Sequence, residues 1–266
     1  MSSGGEYVLG THDEEIARLD LQHRAWRPDV FAAWQTAGIG RSQTVLDVGC
    51  GPGYASLDLA DTVGPLGHVV AIDKSERFLK VLESVRRHNI TTHRADLEAG
   101  EFPQMAAHSV WCRWVLCFVR NPRAVLANMA AALEPGGVIV LHEYFGYASW
   151  RASPPCTELE EFVTAVMTSW RGTGGEPDIA LQLPRWLEDL GFELRRVRPI
   201  VNVVERDSML WAWLRGFIHV GRQRLTDLGY LEPSRSDRIW EAFTAFEATP
   251  RSRMFTPGVL EIIAGR

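Results

Sequence analysis

Three glycines in five positions, followed by acidic residues farther along the chain, are the residues of this sequence best suited to bind a ligand. The glycines are Gly49, Gly51 and Gly53, in the stretch VLDVGCGPGYASLDLA. Glycine has no Cβ, so a glycine turn between a strand and a helix lets a ligand approach the backbone N–H groups closely. The stretch therefore predicts a binding loop, and its neighbours indicate what the loop binds.

The spacing disfavours both common phosphate-binding loops. Counted from Gly49 and Gly51, the dinucleotide fingerprint G-x-G-x-x-G needs a third glycine where the chain has Tyr54, which argues against an NAD-dependent dehydrogenase. A P-loop needs Gly-Lys-Ser/Thr, which this stretch lacks. Asp47 stands at the entrance of the loop, where it would repel a pyrophosphate but accept a cationic or zwitterionic ligand.

Two more carboxylates follow at the ends of later apolar runs. Asp73 ends VVAID, where a short carboxylate can accept hydrogen bonds from both hydroxyls of a ribose. We also predict that Lys74, the next residue, contacts the cofactor. Asp96 lies in RADLEAG, where it can accept from an exocyclic amine while the Leu97 N–H donates to a ring nitrogen. These residues predict a site for a nucleoside that carries a positive charge.

The elements that must position these residues alternate between short apolar runs and amphipathic helical segments, which indicates βαβ units on a parallel sheet. We predict strands at 44–49, 68–73, 91–94, 109–116 and 138–144, with helices between them. The carboxyl ends of such strands form the ligand crevice. The glycine loop and the acids all lie at those ends.

The two flanks are predominantly helical. Residues 11–37 predict one or two helices, and residues after 147 predict helices at about 155–170, 180–190 and 207–248, with strands at 192–204 and 258–264. We therefore divide the chain into an N-terminal helical cap segment (1–43), a Rossmann-like core (44–147) and a C-terminal part that completes the sheet and adds helical lid insertions (148–266).

With these motifs in order, the chain resembles a class I S-adenosylmethionine (SAM) dependent methyltransferase of the small-molecule, UbiE-like type. VLDVGCGPG, VVAID and RADL match the family's first three motifs, and SVWCRWVLCFVRNP with LEPGG match later ones. The resemblance covers roughly 44–145. It implies an α/β fold: a Rossmann-like, doubly wound, seven-stranded sheet, mostly parallel with an antiparallel last strand, plus a helical cap. It also implies SAM as cofactor and S-adenosylhomocysteine (SAH) as product.

The resemblance also implies roles for individual residues. The glycine loop would pack against the amino acid and ribose of the cofactor, Asp73 would hold the ribose diol, and Asp96 with Leu97 would hold the adenine. Asp47 would orient the cofactor's amino group, and Arg113 would offer that group its backbone carbonyl.

The N-terminal segment EYVLGTHDEEIARLDLQ resembles a lead-in that folds over the cofactor in many small-molecule members. Tyr7 would then approach the sulfonium, while Arg18 and Gln22, which share a helix face, would approach the carboxylate end. An amphipathic packing helix is an equal alternative for this segment.

The chemistry itself does not demand a particular catalytic residue. Methyl transfer is an in-line displacement that depends on alignment and exclusion of water, and a base is needed when the nucleophile must lose a proton. His142 and Tyr144, in HEYFGY, are candidates at the crevice rim, although a buried structural role for His142 is the stronger alternative. His219 lies on a potential lid helix whose aromatic residues either line a pocket or simply pack.

Composition limits the partners. The 266 residues are 46% hydrophobic with a net charge of -5, and the place where amine-modifying nucleic-acid methyltransferases carry [DNS]-P-P-[YF] reads CRWV. We expect a small-molecule substrate with no nucleic acid, membrane or metal partner. The four cysteines have no zinc spacing, and the N-terminus has no signal-peptide pattern, so we expect a cytoplasmic protein.

The hypothesis is a methyltransferase acting on a small organic molecule, with an aromatic or natural-product-like acceptor as one option. The alternative is a protein of the same fold that binds SAM or SAH without transferring methyl, as a non-methylating enzyme or partner subunit. The sequence leaves open the acceptor, the atom that is methylated, the use of a base, the choice between monomer and homodimer, and which flank aromatics line the pocket.

Overall fold

A seven-stranded sheet forms the centre of the computed structural model, which describes residues 13–266. Tyr7 lies outside the described residues. The strands of this sheet are β1 (Thr44–Val48), β2 (His68–Asp73), β3 (Ile90–Arg94), β4 (Ala107–Arg113), β5 (Leu133–Gly146), β7 (Glu193–Ile200) and β10 (Gly258–Gly265). A second, three-stranded sheet consists of β6 (Arg151–Ser153), β8 (Val203–Glu205) and β9 (Arg253–Phe255).

The strand order of the large sheet is β3-β2-β1-β4-β5-β10-β7. Strands β1 to β5 pair in parallel, and β10 is antiparallel to both of its neighbours, β5 and β7. This arrangement confirms the predicted fold class. Since β1 and β4 are central neighbours, the loops that follow them face the same crevice.

The helices cover both faces of the sheet and its carboxyl edge. They are α1 (Asp13–Ala37), α2 (Tyr54–Val63), α3 (Glu76–Ser84), α4 (Pro122–Ala131), α5 (Thr157–Gly172), α6 (Leu183–Asp189), α7 (Met209–Asp227) and α8 (Pro233–Ala248). Helix α1 is continuous, with Pro28 inside it, and packs against α7. The described helices include none with the length and apolar content needed to cross a membrane.

Several strand boundaries differ from the predicted ones, and β5 begins five residues earlier than predicted. Strand β4 ends at Arg113 and not at 116, because Trp114 adopts a left-handed backbone conformation (φ 52°) that leaves the sheet. The predicted strand at 192–204 is divided into β7 and β8. The apolar run continued through the break, so periodicity alone could not reveal that its end joins the three-stranded sheet, which the sequence did not predict.

One hydrophobic core joins the three segments into which we divided the sequence. Trp26 of α1, Val110 of β4 and Trp211 of α7 belong to the same cluster of buried side chains. The helical flanks are therefore packed onto the sheet as part of its core.

Candidate functional site

A cavity of about 810 Å³ lies at the carboxyl ends of β1, β2, β3 and β4, beneath α1, α5 and α7. Its volume is within the range of about 300–1,000 Å³ typical of small-molecule sites. Most of the sequence-predicted site residues line it, namely Arg18, Gln22, Asp47, Gly49, Gly51, Asp73, Lys74, Asp96, Leu97, Arg113 and Tyr144. Gly53, His142 and His219 do not line it.

The glycine loop needs its glycines for different reasons. Gly49, Gly51 and Gly53 all have positive φ, at 67°, 56° and 86°. A Cβ on Gly51 would meet nothing within 4 Å, so this position is open to a ligand. A Cβ on Gly53 would lie 2.5 Å from Leu82 Cδ1, and Gly53 is the N-cap of α2. The bare side of Gly53 is therefore filled by Leu82 of α3, and the role of Gly53 toward the cofactor stays a prediction.

Asp73 braces the glycine loop from the end of β2. Its Oδ2 accepts a hydrogen bond from the Gly51 N–H at 2.9 Å, and its Oδ1 accepts one from the Ser75 N–H at 2.8 Å. Burial raises the pKa of Asp73, while these backbone donors oppose that rise. The carboxylate is thus fixed in place at the point where the sequence predicts a ribose.

Lys74 and Asp96 form an ion pair across the next part of the cavity wall. Lys74 Nζ is 2.9 Å from Asp96 Oδ2, and the hydrogen bond from Lys74 lowers the pKa of Asp96. The Glu98 N–H also donates to Asp96 Oδ1. Leu97, the neighbour of Asp96, is buried and offers an apolar surface for a ring.

Asp47 and Arg113 place opposite charges at the centre of the cavity. The Ser56 hydroxyl donates to Asp47 Oδ2 at 2.6 Å, and burial raises the pKa of Asp47 to about 6. Arg113 donates from Nη2 to Nδ1 of His23 at 3.2 Å, and its Nη1 is buried without a hydrogen-bond partner. Burial lowers the pKa of Arg113 to about 10. At neutral pH the guanidinium therefore stays charged.

His23 was not predicted as a site residue, although it lines the cavity from α1. Its Nε2 lies 2.9 Å from Asp58 Oδ2, and Asp58 also receives two hydrogen bonds from Arg27. Because Arg113 donates to Nδ1, His23 must be neutral, with its proton on Nε2. No local pattern pointed to His23, since Asp58 lies 35 positions away in the chain.

Arg18 lines the cavity, but its guanidinium is already engaged. It donates two hydrogen bonds to Glu15, both at 2.7 Å, and one to Gln22 Oε1 at 2.9 Å. Gln22 Oε1 also accepts from the Trp213 indole N–H of α7. The predicted pair of Arg18 and Gln22 therefore lies together on one helix face and ties α1 to α7.

Aromatic side chains also line the cavity and form what we call its aromatic wall. The rings of Trp114 and Tyr144 are stacked with centroids 5.2 Å apart, and Phe118 meets Trp170 edge-on at 4.6 Å. Phe217 of α7 completes the wall. Tyr144 is thus the predicted catalytic residue that the structure places in the cavity.

His142 is not at the crevice rim, so the predicted position is wrong. It is fully buried, its ring packs edge-on against Trp111, and its Nε2 lies 3.2 Å from Glu261 Oε2 on β10. Burial lowers the pKa of His142, although the hydrogen bond with Glu261 opposes this. Strand β5 continues four residues beyond His142, which leaves His142 below the carboxyl edge of the sheet.

His219 is also misplaced by the prediction. It is exposed on α7, and its ring packs against Trp240 of α8. Two residues of α7, Phe217 and Arg224, line the cavity, as does Leu228 directly after the helix. Helical spacing predicted the helix but not which face it turns to the site.

Comparison with known proteins finds methyltransferases among the proteins that this chain resembles. A family model described as a methyltransferase domain matches residues 45–137. The chain is 31% identical over 126 residues to a demethylmenaquinone methyltransferase from Geobacillus stearothermophilus, covering 46% of this chain and 53% of that protein. It is 30% identical over 203 residues to an uncharacterized 37.1 kDa protein in transposon TN4556 of Streptomyces fradiae, covering 74% and 56%.

The chain spans about half the length of these curated relatives. Among solved structures, an S-adenosylmethionine dependent methyltransferase from Mesorhizobium loti matches with a TM-score of 0.54 and 18% identity, covering 92% of this chain and 100% of that one. At this identity the structural match shows a shared fold.

Proposed function

The chain belongs to the class I SAM-dependent methyltransferases of the UbiE-like type, with SAM as cofactor, and on that premise we propose that it transfers a methyl group to a small, flat, aromatic molecule. The observation that carries the proposal is the set of residues that line this cavity. Its acidic residues, the acidic half, suit a cationic nucleoside, and its aromatic residues, the aromatic half, suit a planar ring.

The residues of the acidic half fit the cofactor. Gly51 leaves open space where a Cβ would stand, and Asp73 and Asp96 supply acceptors at neighbouring strand ends. We assign Asp73 to the ribose hydroxyls, Asp96 and Leu97 to the adenine, and Asp47 to the ammonium group. When bound, SAM would supply a methyl group from its positively charged sulfur. A lone pair of the acceptor would form the new bond to the methyl carbon, and the S–CH₃ bonding pair would stay on sulfur.

The aromatic half would hold the acceptor against that methyl group. Trp114, Tyr144 and Trp170 line the cavity with large rigid rings, and contact with such rings orients a planar acceptor at little cost in conformational entropy. Correct alignment and exclusion of water are worth about 7–11 kcal/mol in well-oriented reactions. The walls of the cavity would therefore supply most of the catalysis, and Tyr144 is the side chain we assign to contact the acceptor.

The test is incubation with methyl-labelled SAM and a panel of planar aromatic phenols and amines beside aliphatic alcohols and amines. We expect labelled product from members of the aromatic set. SAH binding without transfer to any acceptor would overturn the proposal in favour of a non-methylating protein of this fold.

A pair of matched variants tests the acceptor wall. Trp170→Phe replaces an indole that lines the cavity by a smaller phenyl ring. Trp186→Phe makes the same change on α6, outside the cavity. We expect Trp170→Phe to raise the KM of the acceptor several-fold with an unchanged affinity for SAH. Trp186→Phe should leave both values unchanged, and equal effects of the two variants would contradict the assignment.

A further inference from the structure

Arg113 is a half-buried cation that forms no salt bridge among the described residues, and this makes it the most unusual group of the cavity wall. Within residues 13–266, the hydrogen-bond partner of its guanidinium is the neutral imidazole of His23, and no carboxylate lies within the 4.0 Å of a salt bridge. Nη1 has no partner at all. A buried charge in this condition is costly unless a ligand of opposite charge completes it.

From these contacts we propose that the Arg113 side chain binds the carboxylate of the cofactor's amino acid, with His23 and Asp58 as the positioning residues that hold it there. The inference rests on the proposed use of SAM. It differs from the sequence-based assignment, in which Arg18 met the carboxylate and Arg113 contributed its backbone carbonyl.

The neighbouring Asp47 supports this assignment. Asp47 and Arg113 stand on the adjacent central strands β1 and β4, and both line the cavity beside the glycine loop. Asp47 is hydrogen-bonded to Ser56 and does not form a salt bridge with Arg113. Two opposite charges that line one cavity and attract each other without direct contact match the ammonium and carboxylate of a single zwitterion.

Arg18 is a poorer carboxylate site because of its own partner. Glu15 is fully buried and accepts two short hydrogen bonds from the Arg18 guanidinium. Turning the Arg18 guanidinium toward a ligand would break both of these hydrogen bonds to a buried carboxylate. Arg113 faces no such competing anion within the described chain.

The contacts of His23 explain how Arg113 is held. Asp58 fixes the Nε2–H tautomer of His23, and the Nδ1 lone pair then accepts from Arg113 Nη2. Two hydrogen bonds from Arg27 fix Asp58 in turn. This chain of contacts leads from the surface of α1 and α2 to the wall of the cavity.

The test compares two ligands by calorimetry: SAH and its decarboxylated analogue, which keeps the ammonium group and lacks the carboxylate. Arg113→Met should weaken SAH binding by about 10- to 100-fold, as expected for a lost charge-assisted hydrogen bond, and change binding of the analogue by less than about twofold. Equal weakening of both ligands by Arg113→Met would overturn the proposal. If the wild type bound neither ligand, the proposed function itself would fail.

Matched variants keep the result interpretable. Arg24→Met, at an exposed arginine of α1, should change neither affinity. If Arg113→Met fails to fold, Arg113→Lys replaces it in the test. This variant keeps the positive charge and should retain part of the preference for SAH over the analogue. The proposal would be overturned if Arg18→Met weakened binding of SAH but not of the analogue, while Arg113→Met bound both ligands normally. That result would assign the carboxylate to Arg18.

The positioning role of His23 has its own readout. His23→Asn keeps an acceptor oxygen near the position of Nδ1, whereas His23→Ala removes it. We expect His23→Ala to reduce the preference for SAH over the decarboxylated analogue and His23→Asn to restore it. If both variants kept the full preference, His23 would have no part in holding Arg113.

Discussion

Asp73 illustrates how one side chain can shape a loop as well as bind a ligand. Its two oxygens accept from the N–H groups of Gly51 and Ser75, so they fix the loop before any ligand arrives. Carboxylate oxygens can accept more than one hydrogen bond, and we propose that those of Asp73 also accept from the ribose hydroxyls. The loss of this side chain therefore removes both the acceptor and the support of the loop.

We predict that Asp73→Ala weakens SAH binding at least tenfold, because hydrogen bonds to a charged group are worth about 1.5–3 kcal/mol each. Asp73→Asn keeps one acceptor oxygen and should lose less. Calorimetry measures both affinities. Asp61→Ala, at an exposed carboxylate of α2, is the control that should bind normally, and an unchanged affinity in Asp73→Ala would refute the ribose assignment.

Glu143 supports the site from behind the aromatic wall. It is fully buried, and its Oε1 accepts from the N–H groups of Val115 and Leu116, in the loop that follows β4. Burial raises the pKa of Glu143 from 4.5 to about 7, although these two backbone donors favour the ionised form. The folded state therefore binds a proton here that the unfolded state has already lost.

The sign of the resulting pH dependence follows from this raised pKa. The contribution of Glu143 to stability is fully present below pH 4.5 and is lost as the pH rises through about 7. Relative to Glu143→Gln, which cannot ionise, the wild type should lose about 3 kcal/mol of unfolding free energy between pH 4.5 and pH 8. Urea unfolding at both pH values measures the difference, and a constant difference would disprove the shift.

At the scale of elements, the connection from β1 through the glycine loop to α2 separates ligand contact from packing. Gly51 faces the cavity, whereas Gly53 lies against Leu82 of α3. Both have left-handed backbone conformations, which cost a non-glycine residue about 1–2 kcal/mol. An added methyl group should therefore have different consequences at the two positions.

We predict that Gly51→Ala reduces SAH affinity at least tenfold while lowering the unfolding free energy by about 1 kcal/mol, since its Cβ stands where the ligand approaches. Gly53→Ala should cost about 2–4 kcal/mol, because overpacking against Leu82 adds to the backbone strain. Thermal unfolding and calorimetry distinguish the two effects. The reverse order, with Gly51→Ala the less stable protein, would contradict the placement of these glycines.

At the scale of the whole molecule, the helical flanks and the sheet share one core. Trp26, Val110 and Trp211 belong to one cluster, although they come from three different segments of the sequence. Helices α1 and α7 also meet through the hydrogen bond from Trp213 to Gln22. The cap should therefore not unfold separately from the sheet.

We predict a single cooperative transition in differential scanning calorimetry, shifted upward by SAH. Saturation at 100 times the Kd should add about 2.7 kcal/mol of stability. Two resolved transitions, with SAH shifting one of them, would show that the flanks and the sheet unfold independently. The matched control is Gly51→Ala, in which the shift at the same SAH concentration should be smaller.

The sequence alone determined the fold class, the glycine loop and the acids at the strand ends. These features are local: the alternation of apolar runs and helices indicates parallel βαβ units, and each strand presents the residue that follows it at the carboxyl edge. Asp47, Asp73 and Asp96 could therefore be placed in one crevice without knowledge of any contact. Their roles toward the ligand stay predictions.

The tertiary structure decided which titratable groups pair with each other. Arg113 meets His23 across 90 positions of the chain, and His142 meets Glu261 across 119. The local sequence around a histidine in an apolar strand is the same whether the side chain faces a ligand or a buried carboxylate, because its partner lies elsewhere in the chain. Burial and pairing set charge and pKa, so the chemistry of these residues emerged when distant elements packed together.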